Sequence, residues 1–506
     1  MTAFPQIGDP VFVPKGRPDL ARLAGRCLAA FEPRILAAVE EFVRHPDAEA
    51  FLRFEEDVLR QFMLAASHVA AGAVAFLHDD PAWVAVAVER ARERRATPLR
   101  HQGRRSTAVR FLGGAILNFE TPYLSENHDG KPGRARGVGR RGEAGGGLYP
   151  ALHALGIAYQ ATPALYSEVA RPALRTASFE EARAARFERG SCLDGKTVRS
   201  LALHVGGEAL AQRQARAEAA ALVRVFTSEL KGKRIVISTD GGRIRLREGG
   251  RRGRKAKSGR RRFRTPWREP KLVVAYVIDE KGRRDPTVPV IYDGTLGDAD
   301  ATFGLLVTER RLRGASKAKI IMTADGARWI WDRADDLARS LGLAPESIVK
   351  VADFDHGVEH LTHLAEHCAS WSEQDRSKWV RRMRRRLKRG QVEAILKEAR
   401  TLVRGRNAGK ILTEVNDFES RKAMMRYDEF RRRGIPQGSG AVERAIRRVV
   451  NLRLKDPSIF WRGPNAERML HLRCYLKAGR WAELMLRVMH RSPTGLPARE
   501  RLCEAA

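Results

Sequence analysis

The chain has 506 residues, with 94 lysines and arginines against 60 acidic residues and a formal net charge of +34. That length exceeds one hydrophobic core and predicts several domains, and a hydrophobic content of 43% excludes a mainly disordered chain. The charge predicts a polyanionic partner, nucleic acid before membrane, since no window approaches about 20 apolar residues and no signal peptide opens the chain.

Residues 16–98 carry helical periodicity, and Phe51, Phe54, Val58, Phe62 and Ala65 recur at three- and four-residue spacing as a predicted core stripe. Gly113-Gly114, between the β-prone runs Thr107–Leu112 and Ala115–Phe119, predicts a hairpin. Residues 125–147 are rich in Gly, Arg and Lys and read as a linker. Residues 148–230 return to helical texture. Ser178-Phe-Glu-Glu181 is a capping box, Gly190 is placed to end its helix, and Asp194 caps the next one, which opens with Lys196. Two helices joined this way fit a DNA-binding helix-turn-helix or plain helical packing.

From 232 short β-branched runs predict strands at 234–239, 271–278, 287–292, 319–323 and 347–351. Helical patterns fall at 300–313, with Asp300 as N-cap, and at 326–341; Asp293 and Asp298 read as turn and cap residues. Three strands, then helix, strand, helix, strand is the order of an RNase H-like mixed sheet. Residues 358–430 form a long charged helical stretch, and 441–455 are helical again. The predicted fold is thus an α/β catalytic core, RNase H-like and interrupted by an all-α insertion, behind a mostly α-helical N-terminal DNA-binding region. The domains run 1–105 (helical), 106–147 (hairpin and linker), 148–231 (helix-turn-helix-like), 232–357 (core, first part), 358–432 (α insertion) and 433–506 (core, second part).

Three acids stand out. Asp240 ends the apolar run Arg234–Thr239, Asp325 ends Lys319–Ala324, and Glu443 opens a helix after Pro436-Gln-Gly-Ser-Gly. Strands deliver their last residue to the sheet edge where ligands bind, and the glycine after each Asp gives room for a metal and a phosphate. An all-oxygen set suits Mg²⁺ or Mn²⁺, and two such ions about 4 Å apart cut and rejoin phosphodiesters. Asp353 and His356, after the fifth strand, are expected to support the site. His356, His360, His363 and His367 share one helix face; with no acidic or cysteine partner evident there, packing and solvent exposure are preferred over zinc.

Basic residues surround these acids. Arg243–Arg264 follows the first catalytic strand, and its Arg251, Arg252, Arg254, Lys255, Lys257, Arg260, Arg261 and Arg262 read as a phosphate-gripping arm. Arg444, Arg447 and Arg448 flank Glu443 and are expected to hold the scissile strand. The block Lys378–Arg389 is open between a solvated face and a DNA-facing helix. Trp329 and Trp461 read as packing residues. The five cysteines, Cys27, Cys192, Cys368, Cys474 and Cys503, form no Cys-x-x-Cys pair, which argues for a reduced, cytoplasmic protein without a disulfide framework.

The motifs Ser238-Thr-Asp240-Gly-Gly, Thr323-Ala-Asp325-Gly-Ala-Arg-Trp-Ile, Asp353-Phe-Asp-His356 and Ile435-Pro-Gln-Gly-Ser-Gly-Ala-Val-Glu443, with Arg453-Leu-Lys455 and Trp461 downstream, resemble bacterial insertion-sequence transposases of the DDE type. The resemblance covers about 230–480 and is nearest to the Kra-type and Lre-type families, relatives of Mutator-like transposases. Asp353-x-x-His356 is similar to the Cys/Asp-x-x-His element of the Mutator-like relatives. A Cys-rich ribbon often found after the N-terminal hairpin of such families has no counterpart at Tyr123–Gly130. The resemblance implies a DNA transposase, bacterial and nucleoid-associated, with Asp240, Asp325 and Glu443 as catalytic metal ligands for two Mg²⁺ or Mn²⁺ ions. It further implies hydrolysis of a strand at each element end and attack of the freed 3′-OH on target DNA, double-stranded DNA as partner, and a homodimer or higher oligomer that joins two ends. The alternatives are an RNase H-like structure-specific nuclease and a non-catalytic transposase-derived DNA-binding regulator. The length before residue 200 weighs against the first, and the presence of all three acids against the second.

Overall fold

The computed structural model describes residues 20–93, 99–126, 147–187, 193–222, 230, 232–249, 263–313, 318–455 and 459–489. Its architecture is mixed α/β, and it divides into two compact units, 1–208 with 485–506, and 209–484.

The first unit begins with α1 (Leu20–Ala29), α2 (Glu32–Arg44), α3 (Ala48–His78) and α4 (Pro81–Glu93). Asp47 starts α3 by accepting the Ala50 N–H at 2.7 Å. The hairpin of β1 (Leu99–Arg110) and β2 (Ile116–Glu126) follows. Its turn holds Gly113 and Gly114 at φ of 98° and 108°, angles that only glycine adopts without strain. The first strand starts earlier than the sequence pattern suggests, because Leu99 is buried while Arg100–Ser106 face outward. Then come α5 (Pro150–Ala154), α6 (Pro163–Arg175), α7 (Phe179–Phe187) and α8 (Gly195–Leu222), the last crossing into the second unit. The capping box forms as expected: the Glu181 N–H donates to Ser178 Oγ at 3.0 Å, and Ser178 Oγ donates back to Glu181 Oε1 at 3.4 Å. Asp194 caps α8, accepting from the Lys196 and Thr197 N–H groups at 2.8 and 2.9 Å. Gly190 lies outside the described residues.

The predicted core stripe on α3 is overturned. Ala65 is buried, but Phe51 is 46% and Phe62 55% exposed. Phe51 and Phe54 instead group with Phe42 of α2, while the small residues Ala71 and Ala75 of α3 meet Val109, Phe111 and Leu117 of the hairpin. Small residues let backbones approach closely, so the deep contact forms at the alanines rather than at the large rings. Contrary to the sequence expectation, α3 is long and apolar enough, by length and composition, to cross a membrane; its alanine end is buried within the unit.

The second unit is built on a five-stranded sheet. In chain order its strands are β3 (Arg234–Gly241), then two short ladders formed by β4 (Ile244–Arg245) with β7 (Trp267–Arg268) and β5 (Glu248–Gly249) with β6 (Phe263–Arg264), then β8 (Lys271–Ile278) and β9 (Ile291–Thr295). They are followed by α9 (Ala299–Arg313), β10 (Lys319–Ala324), α10 (Arg328–Trp331), α11 (Ala334–Ser340) and β11 (Val349–Ala352). The spatial order is β11-β10-β3-β8-β9, parallel across β11-β10-β3 and antiparallel across β3-β8-β9. Both faces are covered. Ile235, Ile237, Ile320 and Met322 pack with Phe303 and Leu306 of α9 and Leu337 of α11, whereas Val236, Ile321 and Val351 face the other way. A sheet buried on both faces reads as continuous apolar runs, which is why these strands were legible.

The second face is covered by α12 (Phe354–His367), α13 (Glu373–Lys388), α14 (Val392–Thr401), α15 (Ala408–Arg421) and α16 (Tyr427–Arg432). Tyr427, fully buried, donates to the Ala352 carbonyl at 3.0 Å and fixes this helical layer to β11. The chain returns through α17 (Gly440–Ile446), a π-helical turn at 447–451, α18 (Leu452–Leu454), α19 (Gly463–Lys477) and α20 (Trp481–Met489).

Three local expectations are corrected. The third strand is Ile291–Thr295 rather than 287–292: Pro289 lacks an N–H for the ladder, and pairing starts after it. Asp293 is not a turn residue but lies buried in that strand, facing Nδ1 of His471 at 3.2 Å and Nη1 of Arg213 at 3.3 Å. Burial opposes its charge, yet those two partners hold its pKa well below the usual carboxylate range. Asp298, not Asp300, caps α9, accepting the Ala301 N–H at 2.9 Å; Asp300 pairs with Arg333 at 2.7 Å.

Candidate active site

Strand register assembles the site. Thr323 of β10 pairs with Ser238 of β3, and continuing that parallel register brings Asp325 level with Asp240. Ala352 of β11 pairs with Ala324, so Asp353 comes level with Asp325. Three acids thus stand at the ends of three adjacent parallel strands, which are spaced about 4.8 Å apart. Glu443 arrives from α17, which packs on β3 and β8. Beneath the acids, the hydroxyls of Ser238 and Thr323 hydrogen-bond each other in the core.

The Asp240 carboxyl feels both burial and its acidic neighbours. Burial pushes the Asp240 carboxyl up to about 6, and repulsion from Asp325, Glu443 and Glu269 adds to it against the stabilising Gly241 N–H, which donates to Asp240 Oδ1 at 2.6 Å. Glu269 was not singled out from sequence. It precedes β8, and its carboxylate occupies the space that a Cβ on Gly241 would take. The donor set of Asp240, Asp325 and Glu443 is all oxygen, the ligand chemistry that Mg²⁺ or Mn²⁺ takes.

Asp353 has a different task. Only 5% exposed, it accepts from the His356 N–H at 2.8 Å as N-cap of α12 and from the N–H and Oγ–H of Ser439 at 2.5 and 2.7 Å. Oγ of Ser439 also lies 2.8 Å from Oε1 of Glu443. The serine therefore couples Asp353 to Glu443, and the Gly438-Ser439-Gly440 turn is there to set it.

His356 turns away from the carboxylates: its Nδ1 is 3.2 Å from Glu359 and its Nε2 is 3.1 Å from Nε2 of His360. Arg421, at the end of α15, was also missed by sequence reasoning. Its guanidinium packs where a Cβ on Gly326 would sit, and it pairs with Asp417. A cation thus adjoins the glycine that follows Asp325, supplied by a helix nearly a hundred residues downstream.

Arg444, Arg447 and Arg448 are exposed around Glu443. The π-helical turn that carries the last two is held from behind by Arg473, 1% exposed, which donates to the Arg448 and Val449 carbonyls. Lys196 is exposed on the first turn of α8 in the other unit. Arg251, Arg252, Arg254, Lys255, Lys257, Arg260, Arg261 and Arg262 lie outside the described residues. In the flanking segments Arg245 stacks on Trp267 at 4.7 Å and Arg247 on Phe263 at 4.2 Å, and Arg247 N–H donates to the Trp461 carbonyl at 2.6 Å. Trp461 is buried under Arg453, and Trp329 lies edge-on to Phe303, so both pack as expected. In α13, Trp379, Met383 and Leu387 form the buried stripe, and Arg382 and Arg386 pair with Glu398.

Comparisons with protein-family models, with curated proteins and with solved structures gave no match for this chain.

Proposed function

We propose that this chain is a metal-dependent DNA transposase of the DDE type, with an RNase H-like core. The observation that carries the reading is the strand register that sets Asp325 level with Asp240 at one end of the sheet, with Glu443 on the helix that packs against the same strand. The strand order 3-2-1-4-5 in chain sequence, with the first three antiparallel, supports the core assignment. The net charge of +34 supports a DNA substrate.

In this reading Asp240, Asp325 and Glu443 would hold two Mg²⁺ or Mn²⁺ ions, which would supply activation of the attacking oxygen and charge stabilisation at the leaving one. The protein positions and neutralises. Ser439 orients Glu443, Arg421 adds positive charge beside Asp325, and the exposed Arg444, Arg447 and Arg448 grip the strand to be cut. The basic arm after β4 and β5 contacts backbone rather than bases. Double-stranded DNA, both element ends and target, is the proposed partner, with a homodimer or larger assembly joining two ends.

The test is strand cleavage and joining on a duplex carrying the repeats that flank the coding region, in Mg²⁺. Glu443→Gln and Asp325→Asn are expected to lose at least about 10³-fold in rate while retaining end binding. Undiminished cleavage in either variant rejects the assignment.

A further inference from the structure

The histidine face of α12 is not left to solvent. Glu414 and Asp417, one turn apart on α15, meet it: Oε2 of Glu414 is 2.5 Å from Nδ1 of His360, and Oδ2 of Asp417 is 3.5 Å from its Nε2. The expectation that no acid partners this face is therefore overturned, because the partner comes from a helix some fifty residues away. His360, His363 and Glu414 each bring a ligand atom within 4.8 Å of the others. His360 and Glu414 are largely enclosed. Oδ2 of Asp417 is buried without a hydrogen bond, although the other oxygen of the same carboxylate is paired with Arg421.

Glu414, His360, His356 and Glu359 form a line of three close polar contacts. Two facing helices that each offer ligands one turn apart are a recurrent way of building a metal site, and two imidazoles with a carboxylate are a zinc donor set.

We propose that His360, His363 and Glu414, with Asp417 adjoining, bind a divalent transition ion of the zinc class that bolts α12 to α15. The ion site is separate from the oxygen-only carboxylate cluster and does not depend on that cluster's assignment. Bolting these helices also fixes Arg421, since it pairs with Asp417, beside Gly326.

The experiment uses the full chain stripped of metal with a chelator, then titrated with Zn²⁺ against a chromogenic competitor. Parallel Co²⁺ loading reports the ligand field by visible absorption. Wild type is expected to take up one Zn²⁺ that His363→Ala and Glu414→Gln each weaken by about tenfold or more, while Asp240→Asn keeps it. His363 is exposed and Glu414→Gln is isosteric, so circular dichroism is expected to report both variants as folded. Zinc uptake unchanged in both variants, or lost only in Asp240→Asn, overturns the proposal, as does a wild-type chain that takes up none.

Discussion

Asp240→Asn is expected to stabilise the fold at neutral pH while abolishing strand cleavage. The folded-state pKa of Asp240, about 6, lies above the 3.8 of a free Asp, so between those values the folded state holds more protons than the unfolded one. Stability from this group is therefore present at low pH and is lost as pH rises from about 4 to about 6. Asparagine keeps an acceptor for the Gly241 N–H and removes the charge that burial disfavours and that Asp325, Glu443 and Glu269 further oppose. The displacement corresponds to roughly 3 kcal/mol, which solvent screening at this half-buried position reduces to about 1–2 kcal/mol. Denaturant midpoints of variant and wild type are expected to coincide near pH 4 and to separate above pH 6. Millimolar Mg²⁺ is expected to close the gap by stabilising wild type alone. Curves that stay superimposed at pH 8 without metal would mean that the acids do not converge.

Asp353→Ala is expected to cost about 2–4 kcal/mol, summing a lost helix cap and the buried Ser439 N–H left without an acceptor. Its consequence reaches Glu443 through the shared serine, so activity is expected to fall with stability. Asp353→Asn retains acceptor capacity on one oxygen only and is expected to fall between. A metal ligand would behave otherwise, with Asp353→Asn inactive yet as stable as wild type. Chemical denaturation alongside single-turnover cleavage separates these outcomes, and an Asp353→Ala protein as stable as wild type removes the proposed coupling.

What was legible in the sequence was local. Four of the five sheet strands declare themselves because burial on both faces forces unbroken β-branched runs, and the caps at Ser178 and Asp194 are written in three or four consecutive residues. The Asp240 and Asp325 positions follow from a strand ending in Asp-Gly. Illegible were the groups whose meaning depends on a distant partner. Asp293 looks like a turn residue until Arg213 and His471 are folded onto it. Glu269 and Arg421 have no motif around them and reach the acids only through packing. The α3 stripe misled because periodicity identifies an apolar face but not what covers it; there the hairpin docks on alanines.

The two ends of the long helical excursion between β11 and α17 are stapled together. The Phe354 N–H donates to the Gln437 carbonyl at 3.0 Å, and the Asp353 carboxylate grips Ser439. A detour that leaves and re-enters at one hydrogen-bonded seam imposes little on its surroundings through its own length, since lengthening a closed loop adds cost only logarithmically. The seam acts as a splice junction: excursions of other sizes can be exchanged across it while the glutamate keeps its address.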